Sequence, residues 1–129
     1  MDTFISRNYT YALIGASSNE EKYGYKILEN LLDAGFHVLP VNPKGGQILE
    51  QKVYKNINEI TEGIDVVIFV VPPQVTKNII EDVVSLGVAK VWLQPGSESD
   101  DVIDFCDKHN IDCYHNACIM LEQLRYLVE

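Results

Sequence analysis

The sequence predicts an α/β protein with a Rossmann-like, open and mostly parallel sheet of about five strands, covered by helices on both faces. Apolar segments of strand length alternate with amphipathic helical segments along the 129 residues, which is the pattern of parallel α/β folds. The strongest strand segment is apolar at six consecutive positions from Val66, as expected when both sides of a strand are covered. This length suits one domain spanning residues 1–129.

Glycines, prolines and the apolar period set the predicted boundaries in the first half of the chain. Between Gln47 and Glu62 the pattern is weaker, and we expect a short strand near Val53 and one or two helical turns around Asn58–Thr61. The clearer elements are a strand over Tyr11–Ile14, a helix over Lys22–Ala34, a strand over His37–Val41 and a turn over Asn42–Gly46.

The second half continues the alternation. Pro72 and Pro73 should end the strand over Asp65–Val71 and open the next helix, because proline breaks a sheet ladder and suits a first helical turn. Ser97 with Asp100 resembles a capping pair for a later helix. The helix that follows runs from Pro73 to Gly87, and its apolar residues are Val75, Ile79, Ile80, Val83 and Leu86. The later helix has an apolar face formed by Val102, Ile103, Phe105 and Cys106. The remaining predicted elements are strands over Lys90–Leu93 and Asp112–Tyr114 and a last helix over Met120–Val128.

Composition narrows the classes of partner. The formal net charge is -9, and an acidic chain repels phosphate backbones, so we do not expect a nucleic-acid binder. No apolar run reaches the length of a membrane helix, and no secretory leader is recognisable, so we expect no membrane association. Three cysteines do not make a disulfide framework, which favours a cytoplasmic location. The sequence does not predict the oligomeric state.

The loop after the first strand is a candidate anion site. The carboxyl ends of parallel strands converge on one cleft, and the start of the following helix offers unpaired N–H groups to an anion. Neither the dinucleotide fingerprint nor a Walker motif is present. A serine-capped helix without a ligand is the alternative. The candidate residues are Gly15, Ala16, Ser17, Ser18, Lys22 and Gly24.

The next two loops indicate the kind of nucleotide. An NAD site favours an acidic residue after the second strand, whereas this chain has Asn42, Pro43 and Lys44. A lysine there suits a ribose phosphate, so both NADP and coenzyme A fit, and a solvated lysine in a turn is the alternative. Val71, Pro72 and Pro73 offer an apolar ledge for an adenine face, although prolines also simply end strands.

Five segments together resemble the CoA-binding domain proteins, a family similar to the N-terminal domain of the succinyl-CoA synthetase alpha subunit. The resemblance implies a Rossmann-like fold that binds coenzyme A, with the Gly15–Ser18 loop and Lys44 on phosphates and Val71–Pro73 at the adenine. The active-site histidine of the synthetase belongs to another domain, so His115 does not inherit its role. The segments are Gly15-Ala16-Ser17 with Gly24, Val41-Asn42-Pro43-Lys44-Gly45, Val71-Pro72-Pro73, Gln94-Pro95-Gly96 and His115-Asn116-Ala117-Cys118.

The reactive residues favour a binding module over a catalyst. No Ser-His-Asp set or carboxylate pair falls at a predicted strand end, and Cys113, His115 and Cys118 do not have a zinc-site spacing. Cys118 is either a thiol that meets the CoA sulfur or a small core residue. We expect Gly96 and Asn116 to flank the pantetheine arm. The predicted ligand is coenzyme A or an acyl-CoA; the alternatives are an NADP-dependent oxidoreductase and a regulatory or assembly protein with an empty cleft.

Overall fold

A computed structural model describes residues 4–122 and confirms the Rossmann-like α/β fold. The strands are β1 (Thr10–Ile14), β2 (His37–Val41), β3 (Gln47–Ile48), β4 (Gln51–Lys52), β5 (Val66–Phe69), β6 (Lys90–Leu93) and β7 (Asp112–Tyr114). The helices are α1 (Tyr23–Asp33), α2 (Pro73–Ser85) and α3 (Asp100–Lys108). A parallel five-stranded sheet has the strand order β2-β1-β5-β6-β7, and a separate two-stranded sheet pairs β3 with β4.

The sheet forms because its central strands are apolar throughout. All four residues of β5 are buried, and β5 pairs with β1 on one side and β6 on the other. The chain leaves β1 for β2 at one side and then returns to β5 on the other side of β1. The strand order therefore reverses between β1 and β5, which is where open parallel sheets bind ligands.

Helices cover both faces of the sheet. Ile27, Leu28 and Leu31 of α1 pack with Leu13 and Ile68 on one face. On the other face, α2 and α3 bury a second cluster against the alternate strand residues. Among residues 4–122 no helix combines the length and hydropathy needed to cross a membrane.

The segment between β2 and β5 differs from its prediction. The short strand expected near Val53 is present as β4, but it pairs with the unpredicted β3 in a hairpin whose turn places Leu49 and Glu50 at φ 51 and 65. Tyr54 then makes an isolated bridge to Val41. The expected helical turns reduce to one 3-10 turn over Ile57–Glu59.

Two helix details are also corrected. Ser97 does not cap α3; Ser99 does, because its hydroxyl accepts a hydrogen bond from the Val102 N–H at 3.3 Å. On α2, Val75 and Leu86 are 38% and 39% exposed, so they lie outside the core face predicted for them. Residues 119–122 are helical, and the rest of the predicted last helix lies outside the described residues.

Candidate functional site

The loop after β1 is held against the neighbouring strand end by close backbone packing. Gly15 has φ +101, and a Cβ there would lie 2.6 Å from both the Val70 carbonyl oxygen and the Val71 Cγ1 atom. Its N–H donates to the Val41 carbonyl oxygen at 3.1 Å. Only glycine fits this position, because the conformation is left-handed and the space is filled. Gly15 therefore joins the ends of β1, β2 and β5.

The start of α1 folds back onto the same loop at Gly24. A Cβ on this residue would overlap the Gly15 carbonyl oxygen and would lie 3.2 Å from the Ser17 nitrogen. The absence of a side chain thus lets the first turn of α1 touch the loop backbone. Such close helix–loop contact brings the N-terminal end of the helix to the strand ends.

Ser17 shapes this loop rather than capping the helix. Ser17 Oγ accepts from the Asn19 N–H at 3.0 Å, and Asn19 Oδ1 accepts from the Glu21 N–H at 3.0 Å. The N-cap of α1 is Lys22, whose side chain makes no capping hydrogen bond, so the serine-capped alternative is wrong. Within residues 4–122, the N–H groups of Tyr23 and Gly24 have no protein acceptor, so they are available to an anion.

Asn42 couples the loop after β2 to the loop after β1. Its Nδ2 donates to the Ala16 carbonyl oxygen at 2.7 Å, while its Oδ1 accepts from the Lys44 N–H at 2.8 Å. Its backbone also bonds with Tyr54 and Gly45, which fixes the turn. Asn42 therefore positions both loops.

A cavity of about 220 Å³, here called the α2-side cavity, opens beside these loops. Its walls are mostly apolar, and two charged residues, Lys55 and Asp82, line it. The Lys55 side chain packs against Gly45, since a Cβ on that glycine would lie 3.1 Å from Lys55 Cε. The lining residues include Ile14, Gly15, Val41, Pro43, Ile57, Val71, Val75 and Ile79.

A second cavity of about 150 Å³, the α1-side cavity, lies at the ends of β5 and β6. It is lined by Tyr23, Val70, Gln94, Pro95 and Cys118, and none of these side chains is charged. Gln94 is buried: its Nε2 donates to Cys118 Sγ at 3.3 Å and its Oε1 accepts from the Ile119 N–H at 2.8 Å. Gln94 thereby fixes the half-buried Cys118 at the cavity wall.

Two consecutive residues, Val70 and Val71, line the two different cavities. Val70 lines the α1-side cavity and Val71 lines the α2-side cavity. The Val71 N–H donates to the hydroxyl of buried Ser97 at 3.0 Å, which holds this segment in place. Ser97 thus has a structural role between the cavities instead of the predicted cap.

The structure brings most predicted site residues to one edge of the sheet. Gly15, Pro43 and Val71 line the α2-side cavity, and Cys118 lines the α1-side cavity. The other predicted residues line neither cavity: Ala16 is buried, Ser17 and Asn42 are half-buried, Gly24 is buried at the start of α1, and Ser18, Lys22, Lys44, Pro72, Pro73, Gly96 and Asn116 are exposed.

The lining residues that the predicted site did not contain include Lys55, Asp82 and Gln94. Lys55 follows the unpredicted hairpin, so no motif marked it. Asp82 lies on α2 at the spacing of Val75 and Ile79, and this helical stripe was a usable signal. Gln94 was named only within the segment Gln94-Pro95-Gly96 and was given no role in the predicted site.

A loop that packs tightly at Gly15, a helix N-terminus and an apolar cavity at a switch point are together typical of α/β proteins that bind nucleotides. The family model for the CoA binding domain matches residues 9–123. The chain belongs to the CoA-binding domain family, which confirms the resemblance seen in the sequence.

Known relatives fall into two groups. The chain is 38% identical over 85 residues to an ADP-forming acetate–CoA ligase of Methanocaldococcus jannaschii, and 38% identical over 86 residues to the alpha subunit of acetate–CoA ligase I of Pyrococcus furiosus. The matches cover 66% and 62% of this chain but only 12% and 19% of those proteins. This chain thus corresponds to a small, CoA-binding part of such ligases.

A solved structure represents the second group. A conserved hypothetical protein of Pyrococcus furiosus is 42% identical, with a TM-score of 0.85. The match covers 88% of this chain and 98% of that one. That solved chain is thus almost wholly this one domain.

Proposed function

We propose that this protein binds coenzyme A or an acyl-CoA as a binding module, in the cleft at the carboxyl ends of its strands. The adenosine end would occupy the α2-side cavity, the pyrophosphate would lie on the Gly15–Lys22 loop, and the pantetheine arm would run to the α1-side cavity past Gly96 and Asn116. The family and the ligase relatives support this ligand class.

The observation that carries the proposal is the pair of cavities joined by one loop, which begins at Gly15 in the α2-side cavity and ends at Tyr23 in the α1-side cavity. Coenzyme A is a long molecule with a charged nucleotide at one end and an uncharged thiol arm at the other. The α2-side cavity has charged lining residues, whereas the α1-side cavity has a thiol and an amide. The chemical division of the cleft therefore parallels that of the ligand.

Two lysines would hold the ribose 3′-phosphate. Lys44 sits in the turn fixed by Asn42, and Lys55 packs against Gly45 of the same turn. In a chain with a formal net charge of -9, two cations at one turn create a locally favourable place for an anion. Lys55 also lines the cavity, so we expect it to make the stronger contact.

The cellular setting fits the same proposal. The three cysteines, Cys106, Cys113 and Cys118, are free thiols, as is usual in a reducing compartment. We therefore propose a cytoplasmic protein that takes part in acyl-CoA metabolism.

Ligand titration tests the proposal. Calorimetry and thermal unfolding with CoA, acetyl-CoA, dephospho-CoA, NADP and NAD should show binding of the first two, with CoA raising the melting temperature because ligand stabilises the folded state. Dephospho-CoA should bind about tenfold more weakly, since it lacks the phosphate that contacts lysine. Binding of NADP without CoA would support an oxidoreductase, and no binding by any nucleotide would support a regulatory or assembly role; either result contradicts the proposal.

A further inference from the structure

The α2-side cavity holds a carboxylate with no evident structural task. Val75, Ile79 and Asp82 form one stripe on α2 and line the cavity, while Thr76, Ile80 and Val83 are buried within the fold. Asp82 thus continues an otherwise apolar wall, one helical turn beyond Ile79.

No protein partner satisfies this carboxylate in the part of the chain that the structure describes. The ion pairs there are His37–Glu62 and Lys77–Asp101, and neither Lys55 nor Asp82 takes part in one. The Asp82 side chain also accepts no hydrogen bond among residues 4–122. Asp82 is partly exposed, and a ligand that fills the cavity would displace water from its carboxylate. That loss is costly unless the ligand supplies a donor, so the position suits a ligand that brings an N–H group.

We propose that Asp82 selects the base of the bound nucleotide by accepting a hydrogen bond from the exocyclic 6-amino group of adenine. This inference rests on the proposed function, because it takes the α2-side cavity as the adenosine pocket. The apolar stripe of Val75 and Ile79 packs on the base, and Lys55 faces the ribose phosphate. The two charged residues would then fix the orientation of the adenosine, with the phosphate near Lys55 and the amino edge near Asp82.

The carboxylate also explains what the pocket rejects. An ionised carboxylate only accepts hydrogen bonds, so a base edge without a donor leaves it desolvated and unpaired. An analogue in which the 6-amino group and N1 are bridged has no donor at that edge. Binding sites that rely on a buried polar group discriminate strongly against ligands that lack its partner.

The probe is 1,N6-etheno-CoA, compared with CoA by calorimetry on the full chain. Wild-type protein should bind CoA at least about tenfold more tightly than the etheno analogue, the difference expected for one hydrogen bond to a charged group. Asp82→Ala should lower CoA affinity to the level of the analogue. Asp82→Asn should keep the preference, because an amide oxygen also accepts from the 6-amino group. Glu81→Ala, on the same helix but outside the cavity lining, is the matched control and should behave as wild type.

The outcomes separate the inference from the function on which it rests. If wild-type protein binds neither nucleotide, the proposed function itself fails. If wild-type protein binds CoA but Asp82→Ala still prefers CoA over the etheno analogue, the base-selecting role is overturned while CoA binding stands. The same holds if Asp82→Ala loses that preference only because it binds the bulkier analogue more tightly. Equal loss of the preference in Asp82→Asn and Glu81→Ala would likewise overturn it. Circular dichroism of each variant verifies that the fold is retained.

Discussion

The two cavities differ in how the fold builds them. The α2-side cavity is assembled from the ends of three neighbouring strands, the 3-10 turn and α2, with Lys55 and Asp82 in its lining. The α1-side cavity is smaller, and its shape depends on Gln94, which ties residues 118–119 to the end of β6. One cavity is thus defined by strand topology and the other by hydrogen bonds of a single buried side chain.

Because the two cavities are built differently, binding of the two ends of the proposed ligand should respond to different substitutions. Changes in charge at the α2-side cavity should alter recognition of the nucleotide with little effect on stability. Changes at Gln94 should lower stability together with recognition of the thiol arm. Only substitutions in the loop between the cavities should weaken the binding of both ends of the ligand.

The largest effect is expected from Gly24→Ala. The new Cβ would overlap the Gly15 carbonyl oxygen, so α1 must move away from the loop that joins the cavities. We expect CoA affinity to fall at least 100-fold in calorimetry and unfolding free energy to fall by ~1–3 kcal/mol in urea, as for other overpacked sites. Gly63→Ala is the control, because a Cβ there meets nothing within 4 Å. Unchanged CoA binding by Gly24→Ala would show that the loop does not hold the ligand.

The second effect concerns the phosphate. Lys55→Ala should weaken CoA binding about tenfold or more, the loss expected for one charge-assisted hydrogen bond, and should leave dephospho-CoA binding unchanged. Lys44→Ala should act in the same direction but less, because Lys44, unlike Lys55, does not line the cavity. Lys108→Ala, at the end of α3, should change neither affinity. A larger effect for Lys44 would reverse the ranking, and no effect for either lysine would place the phosphate elsewhere.

Much of this architecture could be predicted from sequence, because local pattern determines it. The bounds of β2, β6 and β7 match the prediction, since apolar runs bounded by glycine or polar residues mark buried parallel strands. The loop after β1 was found for a similar reason, because Gly15 follows a clear strand and Gly24 lies at the start of a clear helix.

The missed features depend on contacts between distant residues. The β3–β4 hairpin turns at Leu49 and Glu50, which lack the Asn-Gly signal usual for such turns. Without that hairpin, the place of Lys55 against Gly45 could not be inferred. The Ser97 hydroxyl likewise accepts a hydrogen bond from the N–H of Val71, 26 positions away, and does not cap α3.

The third effect tests the α1-side cavity. Gln94→Leu removes the acceptor of the buried Ile119 N–H, so unfolding free energy should fall by ~1–3 kcal/mol in urea titration. CoA affinity should fall several-fold, whereas adenosine 3′,5′-bisphosphate, which lacks the thiol arm, should bind as before. Gln74→Leu, an exposed glutamine on α2, is the matched control. Equal loss for both ligands would show that the two cavities do not act separately.

The smallest effect is the protection of Cys118 from alkylation. Cys106 is fully buried, and the hydrogen bond to Cys106, together with burial, raises the pKa of the Cys113 thiol. A raised pKa keeps a thiol protonated and slow to react, so iodoacetamide at pH 8 should modify Cys118 first.

Because Cys118 lines the α1-side cavity, saturating CoA should slow its alkylation several-fold by peptide mass spectrometry, while adenosine 3′,5′-bisphosphate should not. Cys118→Ser supplies the control, since it should remove the fast-reacting site and leave only slow modification. The expected difference comes from access alone: a thiol arm in the α1-side cavity shields the Cys118 sulfur, and a nucleotide confined to the α2-side cavity leaves it open. Equal protection by both ligands would mean that the nucleotide end, or a movement of the whole cleft, covers Cys118, and the assignment of the two ends would have to be reversed or abandoned.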